Sequence, residues 1–355
     1  MKNSWFWMVF LRIVLLIFIG AAVILFLTRE AHGSSFDHLP NLGYAPSRDR
    51  PTQEDLRRAR ELLRRERAPR NGCVLALLTG DEILAVPVDA SGASRLPGVA
   101  IRKVRGNGVN SHFEVLFPEN GIVLALRRNV RGTGVVYVPW SHGMDTLVLR
   151  TEGLDYLRSL LTMAEARTRA VPSLASRGKS VVEVVPRDIV LGLIFVEHID
   201  GSRWERGESL IPFLQRTLVI FGANKGDAYR YSRSFAGARG ISQMMPATYL
   251  ATRRAYPRAR LPMSFLAAMA DHEDSVAAMY CVIDSIIARL PPWARRGLLA
   301  SGNELNLGLY VAAAYNAGTS NAQRMFNRYA FARRYAPERA ERAYLGKFEA
   351  VWNLR

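Results

Sequence analysis

Hydrophobic and polar positions follow three different rhythms along this chain. Residues Trp5 to Leu27 are apolar throughout except for Arg12. That run of 23 residues exceeds the roughly 20 needed to cross a bilayer as a helix, and it predicts a membrane anchor over residues 1–28. A cleaved signal peptide with Ile13–Leu27 as its apolar core is the other reading. Residues 31–51 carry His, Gly, Ser, Pro and Asn without periodicity and read as a linker. Thr52 followed by Gln53, Glu54 and Asp55 is a helix-start pattern, and Leu56, Ala59, Leu62 and Leu63 then make a narrow apolar stripe that stops by Pro69.

The second rhythm runs over residues 72–150. Short β-branched runs (Cys73–Leu78, Ile83–Val88, His112–Phe117, Ile122–Leu126, Val135–Val138 and Thr146–Leu149) are separated by Gly, Asn and Pro clusters, which predicts strands and turns. The third rhythm begins at residue 151 and is helical. Leu154, Leu157, Leu160 and Leu161 share one face, and Ile189–Val196 is too continuously apolar for an exposed helix. Val276, Met279, Tyr280, Ile283, Ile286, Ile287 and Leu290 are helically spaced, and Leu305–Ala317 is an apolar helix closed by Gly318. The expected fold class is therefore an α+β multidomain chain. Its parts are a transmembrane helix (1–28), a linker with a basic helix (29–71), a small β-rich accessory domain (72–150) and an all-α domain (151–355).

Composition adds a strong charge bias. Lys and Arg number 48 against 31 Asp and Glu, a net charge of +17, and only Lys2, Lys103, Lys179, Lys225 and Lys347 are lysines. Arginine excess suits a phosphate- or carboxylate-bearing partner. The arginines of the 52–67 helix read either as a solvated face or as a surface for anionic lipid near the membrane. Cys73 and Cys281 lie far apart, no CxxC occurs, and the six histidines are scattered. No metal centre, disulfide framework or cofactor is expected.

Three local patterns within the helical part carry candidate chemistry. Ile194-Phe195-Val196-Glu197-His198 places a lone carboxylate at the end of a buried apolar run. Ser234-Phe235-Ala236-Gly237-Ala238-Arg239-Gly240-Ile241-Ser242-Gln243-Met244-Met245-Pro246-Ala247-Thr248 is a long glycine-bearing segment, and Ala313-Ala314-Tyr315-Asn316-Ala317-Gly318 ends a helix. In this order they resemble the lytic transglycosylases of the soluble (SLT) type, a lysozyme-like superfamily related to goose-type lysozyme. A fourth segment, Glu341-Arg342-Ala343-Tyr344-Leu345-Gly346-Lys347, is similar to that family's Glu-Thr-x-x-Tyr-Val-x-Lys. The resemblance covers about residues 186–350 and leaves the strand region untouched.

A carboxyl in an apolar setting resists ionisation, so Glu197 is expected to carry a raised pKa and to serve as a proton donor near neutrality. Ordinary glycosidases use two carboxylates, and these motifs supply no obvious second one. The resemblance implies a mechanism that needs only one. Glu197 acts first as acid on the β-1,4 bond after N-acetylmuramic acid, the acetamido group stabilises the cation, and Glu197 then acts as base on the C6 hydroxyl to close a 1,6-anhydro ring. It further implies that Ser234 holds the N-acetyl group, Gln243 hydrogen-bonds sugar and Met245 packs in the cleft. Tyr315 would bond near Glu197, Asn316 would hold the loop, and Glu341 would touch saccharide at the rim.

One departure from the family is the 37-residue separation of Glu197 from Ser234. The extra stretch, about Arg203–Arg230, predicts an added helix bordering the cleft and brings Glu205 and Glu208 nearer to the second motif. Glu197 is preferred because it alone ends an apolar helix. The expected protein is thus a peptidoglycan lytic transglycosylase with its helical domain in the periplasm. It would be held to the bacterial inner membrane by its N-terminal helix, with envelope proteins as further partners. A lysozyme-type hydrolase on the same polymer and a non-catalytic peptidoglycan-binding scaffold are the alternatives. A nucleic-acid partner is not expected, because the basic residues are dispersed and the stem-peptide carboxylates of peptidoglycan match the charge equally well.

Overall fold

Thr52 caps the first helix, α1 (Gln53–Arg65), through a reciprocal capping box with Asp55. The stripe Leu56, Ala59 and Leu63 is buried, while Arg57 lies outside in ion pairs with Glu54 and Glu61. In this computed structural model, residues 36–41, 51–105, 108–130, 132–300, 302–329 and 339–355 are described. The chain divides into two units, Met1–His38 and Leu39–Arg355. Of the first, only the turn 36–38 is described. The second is built as follows.

Six strands follow α1: β1 (Cys73–Thr79), β2 (Glu82–Val88), β3 (Ala100–Arg105), β4 (His112–Phe117), β5 (Ile122–Val130) and β6 (Thr133–Tyr137). Four of them form an antiparallel sheet in the order β2-β1-β5-β6, and β3 and β4 form a separate hairpin. β1 is central and buried from Cys73 to Leu78, as its unbroken apolar run requires. Leu75 pairs with Val86 on one side and Leu126 on the other. α1 lies on this sheet, and Arg127 from β5 donates to the carbonyls of Leu63 (3.1 Å) and Arg64 (2.8 Å), closing the helix's C-terminal end.

The helices that follow are α2 (Leu147–Thr168), α3 (Val181–Val184), α4 (Arg187–His198), α5 (Gly201–Glu205) and α6 (Leu210–Asn224), then α7 (Pro246–Ala255), α8 (Phe265–Ala270) and α9 (His272–Ala288). The last four are α10 (Pro292–Leu298), α11 (Glu304–Ala317), α12 (Thr319–Tyr329) and α13 (Arg339–Trp352). Thr146–Leu149, which the sequence suggests as a strand, is the cap and first turn of α2. Thr146 Oγ1 accepts from the Leu149 N–H at 3.3 Å.

The stretch 203–230 does form the expected helix, but in the interior rather than at a cleft edge. Its main element, α6, is buried from Phe213 to Asn224 apart from Arg216, and it packs along α2. The contact is backbone to backbone. A Cβ on Gly153 would fall 2.0 Å from the Leu218 carbonyl oxygen, and one on Gly222 would fall 2.0 Å from that of Leu149.

The expected fold class requires correction. From Leu39 to Arg355 the structure is one mixed α/β unit, 55% of the described residues being helical, rather than a β-rich domain beside an all-α, lysozyme-like one. The physical reason lies at the end of α6. Asn224 Oδ1 accepts from the Val138 N–H and Asn224 Nδ2 donates to the Val138 carbonyl, both at 2.9 Å and buried, so the helix is stitched to the residue following β6. Arg60 of α1 donates to the Ala223 carbonyl, and Gln53 donates to Glu152 of α2 at 2.7 Å. The expected transmembrane helix lies outside the described residues, and no described helix is long and apolar enough to cross a membrane.

Candidate active site

Glu197 is the penultimate residue of α4, whose residues Ile189 to Val196 are all buried. The residue as a whole is half-buried, while its carboxyl group sits in a desolvated setting. Tyr344 of α13 donates its hydroxyl to Glu197 Oε1 at 2.6 Å. Lys347, one turn further along α13, is buried, sits 5.2 Å from the centre of the Tyr344 ring, and reaches the Ile199 carbonyl at 3.4 Å. Burial pushes the Glu197 pKa up to about 7, and the Tyr344 hydrogen bond and the Lys347 charge only partly oppose it. Lys347 is shifted downward by its own burial, against the pull of Glu197, Asp200 and Glu205. Among the described residues, the groups acting on Glu197 are thus a phenol and an ammonium, with no second carboxylate.

His198, the next residue, fastens α4 to the glycine-bearing segment. Its ring stacks on Tyr229 with centroids 3.6 Å apart and planes 12° from parallel, and its Nε2 lies 3.0 Å from the Ile241 carbonyl. Burial holds its pKa down to about 3, so the ring is neutral, and a carbonyl partner requires the hydrogen on Nε2. Tyr315 of α11 donates to the neighbouring carbonyl, Ser242, at 2.7 Å. The Ser242 hydroxyl shares a 2.8 Å hydrogen bond with Ser275 of α9. Three elements therefore grip two consecutive residues of this loop. Gly240 allows the turn beside them: its φ is +71°, and a Cβ there would lie 2.4 Å from the Met269 carbonyl oxygen.

The structure brings some of the expected site residues together and separates others. A cleft of about 480 Å³ is lined by Gln243, Met245, Tyr315 and Asn316, with Thr248 and Arg289 on its walls. Gln243 adopts a left-handed φ of +45°, and its amide nitrogen bonds Ser232 Oγ at 3.0 Å and the Gly240 carbonyl at 2.7 Å. Met245 precedes Pro246 at the start of α7 and is 38% exposed, leaving its thioether against the cleft. Asn316 is exposed on the wall.

Glu197 is not among the residues lining this cleft, and its link to Tyr315 on the wall is electrostatic. Burial and then the Glu197 charge drive the Tyr315 pKa well above its ordinary value, and the Tyr344 hydroxyl is shifted likewise. Ser234 is not among the lining residues. Its Oγ accepts from the Ala238 N–H at 3.0 Å within the turn that leaves Phe235 fully exposed. Glu341 is half-buried on α13, one turn before Tyr344. Glu208 bonds Arg203 at 2.6 Å and Arg206 at 3.4 Å, which lowers its pKa and holds it ionised.

Sequence reasoning assigned no role to Tyr344, Lys347 or His198, although these are the groups that touch Glu197 or fix its helix. The legible signal was the i, i+3 spacing of Tyr344 and Lys347 on a helix that also carries Phe348, Val351 and Trp352. Among the described residues no group of three or more His, Cys, Asp or Glu side chains is placed to hold a metal ion. Cys73 and Cys281 are separate buried thiols whose pKa values burial pushes up to about 11 and about 12. Compared with protein-family models, with curated proteins and with solved structures, the chain matches none.

Proposed function

We propose that this protein is a peptidoglycan lytic transglycosylase, cleaving the β-1,4 bond between N-acetylmuramic acid and N-acetylglucosamine and leaving 1,6-anhydromuramic ends. The observation that carries the reading is the setting of Glu197: burial pushes its carboxyl to a pKa of about 7, Tyr344 donates to it, Lys347 and Tyr315 stand near, and no second carboxylate acts on it among the described residues. A carboxyl poised at neutrality serves equally well as acid and as base, and this reaction asks one group for both.

In the first step Glu197 gives its proton to the glycosidic oxygen as the C1–O bond breaks, and the N-acetylglucosamine end departs as an alcohol. The positive charge at C1 of the muramic residue is taken up by that sugar's acetamido oxygen. In the second step the C6 hydroxyl oxygen attacks C1, the acetamido oxygen lets go of C1 and returns to a neutral amide, and the hydroxyl proton passes to Glu197. Bonds and protons balance without water and without a cofactor. Lys347 and the Tyr344 hydroxyl stabilise the carboxylate that exists between the two steps.

Gln243, Met245, Tyr315 and Asn316 line the cleft that receives the strand, and Ser234 shapes the adjoining turn. Glu341 stands one turn before Tyr344 on the same helix, where it would touch saccharide. The place of work follows from the polymer: the bacterial periplasm, where the arginine-rich surface meets the carboxylates of the wall and neighbouring envelope proteins.

Incubation of the purified protein with sacculi, followed by mass spectrometry of the released muropeptides, tests this. Anhydromuramic ends are expected. Reducing muramic ends alone would make the protein a hydrolase, and intact sacculi would make it a binding scaffold.

A further inference from the structure

Among the described residues lining the cleft, Arg289 alone is charged. It follows the last residue of α9, is exposed, and its guanidinium has one partner among the described residues, Thr319 Oγ1 at 3.3 Å. Thr319 opens α12, three residues past Asn316, so the guanidinium stands on the same wall as Tyr315 and Asn316. Gln323 donates to the Arg289 carbonyl at 2.6 Å and fixes its backbone. The nearest acid along α9, Asp284, is fully buried with its oxygens taken by Ser173, the Leu174 N–H and Tyr256, and so does not serve as the arginine's counter-ion. The rest of the lining is uncharged: amide, hydroxyl, thioether and alkyl groups.

An otherwise uncharged, largely apolar cleft with one guanidinium that meets no carboxylate among the described residues matches a ligand that is mostly uncharged and carries an anionic arm. Building on the function proposed above, we infer that Arg289 forms a carboxylate subsite, recognising the acidic arm that branches from the muramic residue, while the uncharged walls take the sugar backbone. The fork geometry of arginine suits bidentate capture of a carboxylate. Its position at a helix C-terminus also favours a cation for the helix itself, and the test must separate the two roles.

The experiment measures binding by the full-length chain carrying Glu197→Gln, so that nothing is cleaved. The probes are soluble disaccharide-peptide fragments of the wall and the same fragments with their carboxylates converted to amides. Amidation is expected to weaken binding by about 10- to 100-fold, the range of a charge-assisted hydrogen bond. Adding Arg289→Gln should bring the unmodified fragments down to the same weak level and abolish the difference, with Arg289→Lys in between. Fragments stripped of peptide expose the lactyl carboxylate. Retained preference for them places that group at Arg289, and its loss places a stem-peptide carboxylate there.

Equal binding by the Arg289→Gln protein, or an equal amidation penalty with and without Arg289, would overturn the subsite. A role confined to the helix end gives that outcome, together with a lowered unfolding temperature. Failure of the transglycosylase reading has a different signature: reducing ends among the products of the wild-type protein, with the carboxylate preference intact.

Discussion

Glu197 concentrates the chemistry of this protein in a single proton. Glutamine at position 197 keeps the shape and can still accept from Tyr344, but it has no proton to transfer. Replacing Glu197 with Gln should therefore lower the release of anhydromuropeptides by about 10²–10⁴-fold, the usual worth of general acid–base catalysis. The same carboxyl makes a stability prediction with a definite sign. Its ordinary pKa of 4.5 rises to about 7 in the fold. Between these values the folded state holds a proton that the unfolded chain has lost, so this group's contribution to stability falls as pH rises from about 4.5 to about 7. Above that range the ionised, partly buried carboxylate costs about 3 kcal/mol, and below it both states are protonated and the cost vanishes. Denaturation curves should accordingly show Glu197→Gln more stable than wild type at pH 8 by up to about 3 kcal/mol, with no such gain at pH 4.

Between elements, the crossing of α2 and α6 is the tightest packing described. Gly222→Ala would force a methyl to 2.0 Å from the Leu149 carbonyl oxygen, so the helices must part. A loss of about 1–3 kcal/mol is expected from urea unfolding, against the small gain that Gly to Ala brings in an exposed helix. This crossing was invisible in the sequence because it depends on which glycine meets which carbonyl. The elements themselves were largely readable. The unbroken apolar runs Cys73–Leu78 and Ile189–Val196 became a central strand and a buried helix because no exposed position tolerates such runs. β3 was missed because Arg102, Lys103 and Arg105 interrupt its apolar residues, and an edge hairpin imposes burial on few of them. Within the site, Glu197, Gln243, Met245 and Tyr315 were legible from motif spacing. Tyr344 and Lys347 stood in the fourth motif, but their roles were not legible, since these lie in reaching across more than a hundred residues to the end of α4.

For the molecule as a whole, the joining of sheet and helices decides how it unfolds. Asn224 satisfies both backbone groups of Val138 in a buried position, a bond between residues 86 apart. Asn224→Ala would leave that N–H and carbonyl without these partners, and a loss of about 2 kcal/mol or more is expected. Because these links run through α1, α2 and α6, the strands and helices should melt in one calorimetric transition in the wild-type protein. Two well-separated transitions would instead indicate an independent β-rich domain. Closure of the cleaved strand on its own C6 oxygen, without water, is read by digesting sacculi in water labelled with heavy oxygen. Anhydromuramic ends in which the label is absent are expected. Muramic ends carrying one labelled oxygen at C1 would contradict it and show that Glu197 activates water instead.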